Sequence, residues 1–413
     1  MRLPCRAFVT TLAAGMLVAC SETTSPDARR IDALPRPLSA AEQKVVSAGN
    51  EFSFALFRQA SAGEPAKNVF ISPLSASMAL GMTMNGAAGT TFDAMRGTLG
   101  FADASQEEIN QGYRSLIDLL RGLDPATEFR IANSIWYRSG YAFEQPFFDA
   151  TRTFFDAEVQ GLNFGDPASL GTINAWVDRA TNGKITSIID VIAPDHVMFL
   201  INAIYFNGTW EHRFDRSQTR DAQFHAADGS LGSIQLMYRN GALRYTATPD
   251  YQAADLLYGN SAFAMTVLLP TPGTDINALV ASLTEQKWTE LTSAFSEHEM
   301  ELYLPKFTLE YERRLNDDLD ALGMGIAFAP GVADFTRMAA AGGLYIDYVK
   351  QKTFVDVHED GTEAAAVTAV AIREASAPPA MRVDRPFIFA IRERFSGTIL
   401  FIGKVVRLPP PSN

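Results

Sequence analysis

DGTEAAAVTAVAIREASAPPA, residues 360–380, obeys two secondary-structure rules at once. Read as a helix, Thr362 caps the N-terminus, Glu363 sits in the first turn, and Ala, Val, Ile, Arg and Glu follow with tolerable propensity. Read as a strand, the parity is ordered. Thr362, Ala364, Ala366, Thr368, Val370 and Ile372 share one face, all small or β-branched, whereas Glu363 and Arg373 lie on the other with Ala365, Val367, Ala369 and Ala371. The first face can enter a sheet without burying a charge. Only the strand reading accounts for that segregation.

Outward from this stretch, the first half of the chain reads as helix-rich and the second as strand-rich. AAEQKVVSAGNEFSFALFRQAS has apolar residues at broadly helical spacing, and SQEEINQGYRSLIDLLRGLD is amphipathic through Ile109, Tyr113, Leu116, Ile117 and Leu120. In NVFISPLSASMALGMTMNGAAGTT, Ser72 is the N-cap, Pro73 the first helical residue and Gly86 the stop. Apolar residues lie all round that helix, which predicts burial on every side. INAWVDRATNGKI ends a further helix, at Gly183. HVMFLINAIYFNGTW predicts a strand covered on both faces, and FAMTVLLP, MELYLPKFTLEY, KTFVDVHE, PFIFAIRE and GTILFIGKVV each predict a strand. Helices followed by strands predict an α+β domain on mainly antiparallel sheets. No repeat or Pro/Gly/Ser-rich linker follows residue 40, so one large domain is expected over 41–413.

The N-terminus carries an address. Arg2 and Arg6 precede the apolar run Ala7–Ala19, which Leu17, Val18 and Ala19 close just before Cys20. This resembles a bacterial lipobox, with residues 1–19 as signal peptide and Cys20 as the lipidated first residue of the mature chain. A plain secretory signal cut near Ala19 is the alternative. Residues 20–40, with Ser, Thr and Pro, read as a flexible tether. The protein is expected outside the inner membrane, lipid-anchored at the periplasmic or cell-surface face of the envelope, or extracellular. Its only cysteines are Cys5 and Cys20, so no disulfide or Cys-based metal site can form within the body.

The searches for chemistry return little. A net charge of −12 with no Lys/Arg cluster argues against nucleic acid. The five histidines have no HExxH spacing, there is no G-x-S-x-G elbow, and GTILFIGK lacks both the spacing and the Ser/Thr of a phosphate loop. Asn207-Gly208-Thr209 matches a glycosylation sequon but reads more simply as a turn. No metal, cofactor or enzymatic activity is expected, although a triad assembled from distant positions, as in an unrelated envelope hydrolase, stays open.

Six collinear stretches carry a family resemblance: NVFISPLSASMALGMTMNGAAGTT, FLINAIYFNGTWEHRF, LPKFTLEYERRL, KTFVDVH with the hinge EDGTEAAAV, and RPFIFAIRERFSGTILFIGKVVRLPP. From about residue 40 to 409 the chain resembles the serpins. The resemblance implies three mainly antiparallel β-sheets, about nine helices and an exposed reactive loop, about 359–380. It also implies a suicide inhibitor: a serine protease attacks the loop, and the acyl-enzyme is trapped when the cleaved loop inserts as a strand in the central sheet.

Residue by residue, the resemblance assigns Glu359, Gly361, Thr362, Glu363, Ala364, Ala365 and Ala366 to the hinge. Aligned on Glu359 and Pro378-Pro379, the scissile bond is Ala375-Ser376, whose small side chain suits elastase-like or subtilisin-like proteases. Arg373-Glu374 is the alternative bond and would invite trypsin-like enzymes. Ser72, Ser75 and Asn202 match the polar cluster beneath the point where the sheet opens, with Gln351 where the family usually has His, so the cluster should not respond to pH. Each also has a plain structural reading: an N-cap, a helix surface residue and a strand residue. Trp210 and Phe214 match the region where the loop first enters. The helix around 105–122 has only Arg114 and Arg121 against Glu107, Glu108 and Asp118, so no heparin-type cofactor is expected. The protein is expected to be a monomer. A non-inhibitory member serving as a binding or structural envelope protein is the alternative function.

Overall fold

Ser39 opens the first helix, α1 (Ala40–Gly63), by accepting the Glu42 N–H, while the Glu42 carboxylate accepts the Ser39 N–H at 2.6 Å. This reciprocal cap satisfies two otherwise orphaned donors. Glu42 is fully buried and also accepts from Arg36 at 2.6 and 2.7 Å and from Ser115 at 2.7 Å. The computed structural model describes residues 30–101, 103–361 and 379–409. Cys20, Thr362, Glu363, Ala364, Ala365, Ala366, Arg373, Ala375 and Ser376 lie outside the described residues.

The remaining helices are α2 (Pro73–Met84), α3 (Gly89–Thr98), α4 (Gln106–Arg121), α5 (Gln145–Phe155), α6 (Ala168–Ala180), α7 (Ile276–Ser282), α8 (Glu285–Ser293) and the single turn α9 (Asn316–Leu319). As the sequence predicts, Ser72 caps α2 and Pro73 begins it. Every residue of α2 is buried except Ala79. Ile109, Tyr113, Leu116, Ile117 and Leu120 form the buried stripe of α4.

The strands are β1 (Val69–Ile71), β2 (Thr127–Arg138), β3 (Glu158–Leu162), β4 (Met198–Gly208), β5 (Arg220–His225), β6 (Leu231–Ala247), β7 (Tyr251–Tyr258), β8 (Phe263–Pro270), β9 (Ser296–Pro305), β10 (Phe307–Arg314), β11 (Lys350–Val357), β12 (Ala380–Arg382), β13 (Phe387–Glu393) and β14 (Ile399–Val405). They form three hydrogen-bonded sheets among the described residues. The largest runs β1-β14-β13-β8-β7-β6-β9-β12 with β5 added on β6; the others are β3-β2-β4 and β10-β11. Most pairs are antiparallel, and β12 on β9 and β3 on β2 are parallel.

Two expectations need correction. MELYLPKFTLEY is two strands, because the chain leaves the large sheet at Pro305 and joins β11 from Phe307 onward. Proline has no N–H for a ladder, so it suits the last position before such a change of sheet. The tether read over 20–40 is also too long. Residues 30–39 lie on the domain, with Ile31, Leu34 and Leu38 against the core and the Ile31 N–H donating to Asn260 O at 2.9 Å.

The core has two parts. The main cluster lies between α1, α2 and the large sheet, where Phe70 stacks on Phe389 and Phe401 at 5.3 and 5.5 Å between ring centres. The smaller packs Ile173, Trp176 and Val177 of α6 on Trp136 of β2 and on Phe199, Ile201 and Ala203 of β4. β4 is therefore covered on both faces.

The Arg36 guanidinium holds the Glu42 carboxyl well below its usual 4.5, at about 2; burial opposes this, and the Ser39 N–H and the Ser115 hydroxyl assist it. A carboxyl lowered on folding stabilises the native state above its unfolded value, and that contribution disappears as pH falls through the folded value. Glu42→Gln is expected to cost roughly 2–3 kcal/mol at pH 7. In urea unfolding, the gap to the parent should close between pH 4.5 and 2; a gap independent of pH contradicts this assignment.

Candidate functional site

β4 and β11 have paired neighbours on their outer sides, β2 and β10, but share no ladder with each other. Between them lies a cleft of about 440 Å³. α2 forms its floor through Ser75, Ala76 and Ala79, and the segment after α6 roofs it through Ile185, Ile188 and Ile189.

Above the cleft, the turn that follows β11 meets the chain that follows β4. The Trp210 N–H donates to Asp360 O at 3.0 Å and the Phe214 N–H to Glu359 O at 2.9 Å. The chain reverses over Glu359 and Asp360, and His358 and Gly361 exchange backbone hydrogen bonds of 3.0 and 3.2 Å. Gly361 also bridges Thr209 in antiparallel sense, so it sits between the extensions of both strands. Its φ is +134°, and a Cβ there would stand 2.3 Å from Gly208 O. Only glycine fits this corner. Trp210 supports it by stacking on Tyr258 at 4.4 Å and donating its indole N–H to His358 O at 2.9 Å.

The two acids of the turn are buried and paired. Asp360 forms an ion pair with Arg216. Glu359 accepts from Thr219 Oγ1 at 2.9 Å and faces Lys306 Nζ at 3.4 Å. Burial alone would raise the Glu359 carboxyl, but its own backbone N–H, the Thr219 hydroxyl and the Lys306 ammonium outweigh that and hold it below the usual carboxylate range.

Midway down the cleft the structure brings Ser72, Ser75, Asn202 and Gln351 together. Gln351 makes a two-way amide pair with the Ser72 backbone, accepting from its N–H at 2.9 Å and donating to its carbonyl at 2.7 Å. The Ser72 hydroxyl donates to Leu400 O at 2.7 Å, and Ser75 Oγ reaches Asn202 O at 3.4 Å. Ser75 is a buried residue, so its reading as a helix surface position does not hold. The Asn202 amide donates to Asn133 Oδ1 at 2.6 Å, and Asn202 Oδ1 is buried with no partner among the described residues.

At the lower end His196 and Asp347 meet at 3.1 Å. Lys350 pairs with Asp190 at 2.6 Å and with Glu312 at 2.7 Å. Sequence reasoning found neither these ties nor Arg216, Thr219, Lys306 and Asn133. The acid pair Glu359-Asp360 was the available signal, since two buried carboxylates require partners.

The family described as serpin (serine protease inhibitor) matches residues 47–408. An uncharacterised serpin-like protein of Thermococcus kodakarensis is 32% identical over 373 residues, 88% of this chain and 86% of that one. Among solved structures, the thermophilic serpin tengpin in its native state superposes with a TM-score of 0.82 at 31% identity, covering 92% of this chain and 97% of tengpin. Human thyroxine-binding globulin complexed with thyroxine does so with a TM-score of 0.82 at 28% identity, covering 90% and 100%. The fold, the order of its elements and the extent of these matches agree, and the chain belongs to the serpin family.

Proposed function

We propose that this protein is a suicide inhibitor of serine proteases, cleaved at Ala375-Ser376 by elastase-like or subtilisin-like enzymes, whose loop then fills the cleft between β4 and β11. The observation that carries this reading is Gly361, paired with Thr209 on one side and His358 on the other. That pairing sets the register of any strand continuing from it. Thr362 falls opposite Gly208 and Val357, Ala364 opposite Phe206 and Val355, and Ala366 opposite Ile204 and Thr353. Thr368 follows opposite Asn202 and Gln351, Val370 opposite Leu200 and Val349, and Ile372 opposite Met198 and Asp347.

The parity of the loop matches the parity of the walls. Ile204 and Phe206 of β4 and Val355 and Val357 of β11 face the main core, so the even-numbered loop residues face it too. Glu363 and Arg373 of an inserted strand would point to the opposite side. In an inserted strand Thr368 would bring a hydroxyl to the level of Asn202 Oδ1, which has no partner among the described residues. Insertion thus completes a ladder on both sides of the new strand and buries no charge in the main core.

Cleavage after Arg373 would shorten the inserting strand by two residues, roughly 7 Å at strand rise, and favour release over trapping. Trypsin-like enzymes are therefore the lesser targets. A heparin-type activator is not part of this reading, because Arg114 pairs with Asp118 and Asp156, and Arg121 pairs with Asp156.

The soluble body mixed with elastase or subtilisin is expected to give a complex that survives boiling in SDS. Thr362→Arg, which places a charge on the buried face, should convert most of the protein to cleaved product without complex. Cleavage near residue 375 with no complex for any protease contradicts inhibition and favours the non-inhibitory binding reading. Equal trapping by Thr362→Arg contradicts the register.

We also propose that Cys20 carries lipid and anchors the protein in a bacterial envelope, with residues 20–29 as the tether to a body that begins at the docked segment 30–39. Growth with a labelled fatty acid should label the parent and not Cys20→Ser; equal labelling or none contradicts the anchor.

A further inference from the structure

Arg30 and Ile31 lie at the same pole of the molecule as the hinge. The Ile31 N–H donates to Asn260 O at 2.9 Å, in the turn between β7 and β8, and the adjacent Gly259 N–H donates to Thr209 O at 2.8 Å. Thr209 in turn bridges Gly361. Three such steps of about 5 Å and one peptide of about 4 Å put Ile31 within about 20 Å of Gly361. Arg30 faces Glu211 at 3.4 Å, next to Trp210, whose N–H donates to Asp360 O. It also stands 4.0 Å from Glu297 on β9, the strand whose Glu301 N–H donates to Pro379 O at 3.0 Å, beyond the loop. The N-terminal segment therefore meets the body beside the neighbours of both ends of the loop.

The attachment is fixed at that pole. Leu34 and Leu38 pack on the core, and Arg36 pairs with the buried Glu42 at 2.6 Å. Only the ten residues before Arg30 then separate Cys20 from the body. Ten residues span at most about 35 Å, and a flexible chain of that length averages about 18 Å. The body cannot enter a bilayer, so a body held this closely at one pole projects its other end away. The lower end of the cleft, where Lys350 pairs with Asp190, lies eight residues of strand below the level of His358 and Gly361, about 26 Å.

We propose that the pole carrying the loop faces the bilayer, so that the loop is presented to serine proteases held at the same membrane. Tether and docked segment together place the ends of the loop about 40 Å from the lipid. A protease domain of about 230 residues has a radius of gyration of about 17 Å and is about 45 Å across, so one seated on that surface has its active site within this height. A protease free in solution must instead enter a gap narrower than itself. The orientation rests on the anchor at Cys20 proposed above, and the choice of partner rests also on the inhibitor reading.

The test puts six histidines in place of Cys20 in the soluble body, which holds it on phosphatidylcholine vesicles carrying a nickel-chelating lipid and leaves it without a cysteine. One new thiol then carries a donor dye, either at the exposed Gln218, beside Arg216 and its partner Asp360, or at the exposed Val191, beside Asp190. The bilayer carries a lipid-linked acceptor. Energy transfer is expected to be several-fold stronger from Gln218→Cys than from Val191→Cys. Twenty Gly/Ser residues inserted between 29 and 30 lengthen the mean tether to about 30 Å and should remove most of that difference. Should Gln218→Cys fail to fold, Ser217→Cys reads the same turn. Equal transfer, stronger transfer from Val191→Cys, or a difference unaffected by the insertion overturns the proposal. Neither lipidation nor a protease enters this measurement, so its failure strikes the orientation alone. A missing fatty-acid label on the parent would instead overturn the anchor on which the orientation depends, and absence of a trapped complex would overturn the inhibitor reading.

Discussion

Two strand edges that face each other without pairing set the terms for the rest of this protein. β4 and β11 lie between the main core and the α6 cluster, so their facing backbone groups cannot be treated as an ordinary solvated edge. Unpaired N–H and C=O groups in such a position are costly unless water or another strand meets them. Filling the cleft with a strand supplies partners along both walls at once. On the proposed reading the loop is the piece of chain that would supply those partners.

The hinge turns that general demand into a specific register. Gly361 is already paired with both flanks, and only glycine tolerates its backbone angle and the approach of Gly208 O. Behind it, Glu359 is held by Thr219 and Lys306, and Asp360 by Arg216. Trp210, stacked on Tyr258, carries the same corner from the other side. A strand that starts here has no freedom to slip, because a one-residue shift would turn Glu363 and Arg373 towards the core.

Much of this was legible in the sequence where periodicity is local. The N-cap and all-round burial of α2, the stripe of α4 and the two-sided burial of β4 followed from residue spacing. The alternation of small and charged residues over 362–373 was legible too. Its counterpart, the parity of the two walls, was not, because β4 and β11 are far apart in the chain. The same holds for Lys306, Thr219 and Arg216, whose roles depend on the turn they surround. MELYLPKFTLEY misled because its hydrophobic pattern runs through Pro305, whereas the hydrogen bonding does not. The docking of residues 30–39 was hidden by a composition typical of linkers, since the segment is held by only three apolar side chains together with the Ile31 N–H bond to Asn260 and the ties of Arg36 and Ser39 to Glu42.

The most direct measurement of the central claim is thermal unfolding of the intact protein beside the same protein cleaved once in the loop, without any protease bound. If the cleft between β4 and β11 receives the loop as a strand, the cleaved form melts far above the intact one, because both ladders are then complete. Equal melting temperatures would contradict the account.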